Sequence, residues 1–191
     1  MDKRVLNEDR DTAKSASNKT RSRSRRQTER EELYYRRPMV RIDNRTVSRL
    51  IREGVDPSVA RVDLELIKLD LEVTSKWSKL RCGIAELEYK RLLTLILWNR
   101  DLPHPIVPTR LADEIWHKHI LDTRAYHSDM KELFGEYLHH FPFLGFGSEE
   151  SKKLKDKAFL MTCQLYEKTF GEPFTHNAKK LRFEKKNDIE K

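Results

Sequence analysis

In the segment 84–98 the apolar residues Ile84, Leu87, Leu92, Leu95, Ile96 and Trp98 cover most of a helical circumference. A helix of that kind has no broad polar face to turn to water, so it is buried on most sides. The stretches around it carry helix signals as well. Residues 44–51 fit a short helix with Asn44 as its N-cap and Gly54 as its stop. Asp56-Pro57 has the form of a helix start, an Asp cap with Pro at the first helical position. Residues 62–73 partly alternate as a strand would, but their Leu, Glu, Lys and Asp favour a helix. Gly83 is expected to break or kink the chain. The prolines Pro103, Pro105 and Pro108 forbid a helix interior and make a loop. Thr109 is read as the N-cap of a histidine-bearing helix. Residues 134–140 are read as a further helix stopped by Pro142, and 143–147 as a Gly-aromatic loop. Ser148-Glu149-Glu150 opens a last long helix with carboxylates at its positive end, and Gly171 closes it. The expectation is an all-α domain, a compact bundle of about five or six helices.

Hydrophobic residues make up 37% of the chain and charged residues another 37%, so part of it is expected to lie outside a packed core. Residues 1–37 hold 12 Lys/Arg against 7 Asp/Glu and few large apolar side chains, the composition of a disordered basic arm. The division expected is this arm at 1–37, a helical domain at 38–174 and a charged C-terminal tail at 175–191. The polar N-terminal stretch is not a secretory signal, and the run from Leu92 to Trp98 is too short to cross a bilayer. Cys82 and Cys163 form no CxxC pair and sit in apolar segments, which argues against a disulfide scaffold. A cytoplasmic protein is the expectation that follows.

Five of the seven histidines fall between His117 and His140. Imidazole is the commonest protein ligand for transition metals and the side chain that titrates near neutrality. At ~100° per residue, Asp113 and His117 stand one turn apart on the same face, with His127 near it, while His119 lies about 160° from His117. One ion therefore cannot take both His117 and His119 from a straight helix. The candidate metal ligands are Asp113 and His117, completed by His139 or His140 from the following helix. His119, His127 and Glu114 remain for support or proton transfer. Nitrogen and oxygen donors in that number suit zinc, iron or manganese and leave a position open. The competing explanation is that each histidine is a core residue satisfied by a carbonyl or a carboxylate.

At these residues the chain resembles the glycine-rich domain-containing protein-like family of bacteria and plants. The resemblance rests on Asp113, Trp116, His117, His119, Thr123, Tyr126, Gly135 and His139-His140-Phe141-Pro142. Glu88-Tyr89-Lys90-Arg91, Pro108-Thr109, Gly145-Phe146-Gly147 and Leu165-Tyr166 extend it over roughly residues 62–172. It implies a helical domain whose His and Asp residues can hold a metal, and it supplies no substrate. Met130 stands where the bacterial pattern often carries a cysteine.

Two classes of function are compatible with these features. One is a metal-binding helical protein, extending to a metal-dependent enzyme in which the ion activates water. The other is a helical interaction module with structural histidines. Its Arg21, Arg23, Arg25 and Arg26 would neutralise phosphates of a nucleic acid, or residues 1–37 would dock an acidic protein partner. No aromatic residues interleave those arginines, so base stacking is not indicated.

Overall fold

The structure, a computed structural model, describes residues 40–174. The basic arm, its four arginines and the C-terminal tail lie outside the described residues. Within them the protein is all-α. Its helices are α1 (Asn44–Arg52), α2 (Pro57–Ala60), α3 (Glu65–Thr74), α4 (Lys79–Trp98), α5 (Arg110–Leu121), α6 (Thr123–Phe134) and α7 (Glu149–Phe170). No helix among them is long and apolar enough to cross a membrane.

The long helix α4 is the axis of the bundle, with α2, α3 and α5 packed against it. Its apolar residues Ala85, Tyr89, Leu92, Leu93 and Leu95 are buried in the core, as a nearly all-round apolar pattern requires. Gly83 does not break the helix; it lies inside α4, which runs through it. Residues 62–73 resolve into α3, which begins at Glu65 and buries Ile67 and Leu71.

Helix α4 also buries charge. Lys90 is fully enclosed, donates to Ala60 O at 3.1 Å and lies 3.1 Å from Glu86 Oε1. Lys68 of α3 reaches the other Glu86 oxygen at 2.8 Å. Burial pushes the Glu86 carboxyl up, but Lys90 and Lys68 outweigh it and hold the group below its ordinary value. Such a cluster survives burial because its charges are mutually paired.

The helix ends follow local chemistry, with three shifts from the sequence-based expectation. Asp43, one residue before Asn44, caps α1 by accepting from Thr46 N at 2.8 Å. The histidine helix does not run on to His127: Asp122 ends α5 and caps α6, accepting from Ala125 N. The helix expected over residues 134–140 is absent. Gly135, at φ 77°, terminates α6 in a left-handed turn that a residue with a Cβ rarely adopts, and the chain leaves it non-helical. Arg100 then covers the open end of α6, donating to Leu133 O and Phe134 O, each at 3.1 Å. The caps expected for α5 at Thr109, for α7 at Ser148 and at the end of α7 at Gly171 are those observed.

Candidate metal centre

The site is assembled on α5. Thr109 accepts from Ala112 N at 3.2 Å and donates its own hydroxyl proton to the buried Glu88 of α4. That contact fixes the first turn of α5 against the bundle axis. Asp113 sits in this turn and His117 one turn later, the i,i+4 placement that puts both on one face.

The third member arrives from the segment after α6. Trp116 Nε1 donates to Tyr126 Oη at 2.9 Å, and Tyr126 Oη donates to Leu138 O at 2.6 Å. This relay ties α5, α6 and the returning strand-like segment together two residues before His140. The His140 ring lies over Trp116, with centroids 4.4 Å apart. Its Nε2 is 2.8 Å from His117 Nε2 and 3.3 Å from Asp113 Oδ1, and His117 Nε2 is 3.9 Å from the same oxygen. Ligand atoms of all three residues lie within 4.8 Å of one another.

Two imidazole nitrogens at 2.8 Å can share one proton between them but cannot each carry one. Burial pushes His140 below the usual histidine value; Asp113 pulls it back up and His117 adds to the lowering. Neutral imidazole, the form that burial favours here, is also the form that binds metal.

None of the remaining candidates joins this convergence, although His139 shares a pocket with Asp113 and His140. His139, the neighbour of His140, is exposed and sets its ring against Tyr137, 4.9 Å away by centroids. In a non-helical segment consecutive side chains diverge, so one of the two histidines reaches α5 and the other does not. His127 is exposed on α6. Glu114 pairs with Arg110 at 3.2 Å and faces Arg81 at 3.8 Å. His119 occupies the opposite side of α5 and is fully buried. Its Nε2 is 3.0 Å from Asp129 Oδ2 and its Nδ1 is 3.0 Å from Tyr89 Oη. A carboxylate at Asp129 accepts the Nε2 proton, which leaves Nδ1 to accept from Tyr89. His119 therefore welds α4, α5 and α6, and burial holds the Tyr89 hydroxyl protonated by pushing its pKa well up.

With this geometry in place, comparison with known proteins is informative. The UCP032817-like family matches residues 89–182. Two curated relatives from Arabidopsis thaliana align over 86 residues, 44% of this chain: glycine-rich domain-containing protein 1 at 40% identity and glycine-rich domain-containing protein 2 at 37%. Over these residues the chain is similar to the glycine-rich domain-containing proteins. It spans 10% of the length of each of these relatives. No solved structure matches it.

The family match begins at Tyr89 and so takes in the second half of α4, the whole of α5 and α6, and the returning segment with His140. The loop before α5, α5 itself, the returning segment and α7 wall a pocket of about 520 Å³. Asp113 and His140 face it, Pro105, Pro108 and Pro142 give it apolar sides, and Lys155 of α7 closes one edge. The histidine pattern pointed to Asp113 and His117 with His139 or His140, and the structure brings His140 to them. It carried no signal for Trp116 and Tyr126 as positioning residues, or for Lys155, because these roles arise from packing between elements.

Proposed function

We propose that this protein binds a divalent transition metal ion through Asp113, His117 and His140, and presents the ion to a ligand in the adjoining pocket. The observation that carries this reading is the convergence of two imidazole nitrogens and one carboxylate oxygen from two separate segments, at mutual distances of 2.8, 3.3 and 3.9 Å. With metal–nitrogen and metal–oxygen bonds of about 2.0–2.2 Å, donors around one ion stand roughly 3–3.5 Å apart, so small side-chain adjustments suffice. Two histidines and one carboxylate are the donor set of zinc, iron or manganese centres that keep coordination positions open. Such an ion acts as a Lewis acid toward whatever shares its open side. The protein supplies the rest: Trp116 seats the His140 ring and the Tyr126 relay holds the segment that carries it.

The direct test is elemental analysis of the purified full chain, followed by zinc titration of metal-stripped protein. One equivalent of metal is expected, lost on His117→Ala with the helical circular dichroism unchanged. Protein that carries no zinc, iron or manganese as purified and takes up no zinc in the titration overturns the reading.

The relay makes a second prediction. Tyr126→Phe removes the hydroxyl that accepts from Trp116 and donates to Leu138 O. Groups that orient ligands typically contribute about 10–100-fold to metal affinity, and a loss in that range is expected while one-to-one binding persists. Competition with a chromophoric chelator measures it.

A further inference from the structure

We infer that the pocket beside Asp113 and His140 takes an organic anion with an apolar body, its acid group held by Lys155. The inference rests on the metal reading in one respect, since a bound ion would neutralise Asp113.

The charges of the lining lead to this conclusion. Arg110 and Lys155 face the pocket against a single carboxylate, Asp113. Arg110 is already paired with Glu114 and its side chain is almost wholly exposed, which leaves it a weak contributor. Lys155 differs. It is exposed as well, but none of the ion pairs among the described residues involves it. Its stem is laid against Gly145, where φ is 86° and a Cβ would stand 2.6 Å from Lys155 Cδ. The absence of a side chain at Gly145 therefore lets the lysine pass and directs its length along the pocket edge. Ser151, one turn before Lys155 on α7, accepts from Gly145 N at 3.1 Å and fixes the loop against the helix.

Apart from Thr109, His139 and His140, the other walls are apolar. Pro105, Ile106, Trp116, Phe141, Pro142 and Leu144 line the same space. A volume of about 520 Å³ lies in the range of sites that enclose small organic molecules. A ligand matched to these surfaces has an aliphatic or aromatic body and a terminal anion. A carboxylate and a phosphonate or phosphate share this chemistry.

The test uses the full chain and three probes that share an aromatic body: 4-phenylbutyrate, 3-phenylpropylphosphonate and the neutral 4-phenylbutan-1-ol. Binding is followed by isothermal titration calorimetry with and without zinc, and zinc uptake is measured on the same samples. At least one anion is expected to bind roughly tenfold or more tightly than the alcohol, the scale of a charge-assisted hydrogen bond. Lys155→Met is expected to abolish that preference and leave alcohol binding unchanged. Whichever anion is preferred assigns the head group. An alcohol that binds as well as both anions, a preference that survives Lys155→Met, or no binding of any probe overturns the inference. Zinc uptake without an anion preference defeats this inference and spares the metal site. A Lys155-dependent preference in protein that takes up no zinc does the reverse.

Discussion

Replacing His140 with alanine is expected to weaken zinc binding by more than about 100-fold, and His139→Ala by less than about threefold, because removal of a ligand exceeds the loss seen for groups that merely support one. The two residues are adjacent, identical and flanked by the same chain, so composition and local propensity cannot separate them. Geometry does. The His140 side chain is 11% exposed, lies on Trp116 and meets His117 and Asp113. His139 is exposed and touches Tyr137 instead. The measurement is competition against a chelator of known affinity, with both variants and the parent at one pH. The pH matters because protons compete for the imidazoles. Burial keeps the His140 pKa below its ordinary 6.5, so its contribution to acid-induced metal loss begins only under that value. Equal losses from the two substitutions would falsify the assignment of His140.

The contrast between His139 and His140 also marks the limit of what the sequence disclosed. Helical arithmetic was sufficient for α5, where Asp113 and His117 share a face and His119 opposes them, because a helix has a fixed period. It failed where the helix ended. Two local signals bore on those ends: Asp122 stands at a capping position before Thr123-Arg124-Ala125, and Gly135 follows Lys131 and Phe134 at the close of α6. Each is a recognised boundary residue. The residue spacing on either side of Asp122 and Gly135 points instead to one continuous histidine helix and a further helix over 134–140, and the caps override it. With the segment after Gly135 non-helical, only its path in three dimensions decides which histidine returns to α5. Tyr126 and Trp116 set that path through one carbonyl, a role without any sequence signature.

The buried charges of α4 were hidden for a related reason. Its apolar residues announced a helix enclosed on most sides, yet nothing local foretold that Glu86, Glu88, Lys90 and Arg91 would be enclosed too. A charged side chain is buried when partners converge on it. Those of Lys90 and Arg91 include backbone oxygens 30 and 38 residues away. The same spacing that makes the pattern look like an ordinary helix with polar interruptions therefore conceals ties between the middle of α4 and distant parts of the bundle.

Arg91 is where that concealed bonding carries the largest stability effect. Its Nε and Nη2 donate to Glu53 O at 2.9 and 2.6 Å, which satisfies a carbonyl at the C-terminal cap of α1. Its Nη1 donates to Tyr166 Oη at 2.7 Å and also to Glu172. The guanidinium carbon stands 4.7 Å from the centroid of Phe170. One side chain thus joins α1, α4, α7 and the segment beyond α7. Arg91→Ala removes all of these contacts and leaves the Glu53 carbonyl and the Tyr166 hydroxyl without their donor. Breaking a buried ion pair by removing one partner costs about 3–5 kcal/mol. The Glu172 side chain is 38% exposed, so water recovers part of its charge and the lower end of that range is expected. Arg91→Lys keeps the charge but has no planar fork to serve Glu53 O and Tyr166 Oη together, so an intermediate loss is expected. Arg49→Ala is the matched control, because Arg49 makes an exposed pair with Glu53 worth no more than about 0.5 kcal/mol. Urea unfolding of the three variants, followed by circular dichroism, gives the order directly. If Arg91→Ala falls within 1 kcal/mol or so of Arg49→Ala, the guanidinium is not the tie that holds the two ends of the bundle to α4.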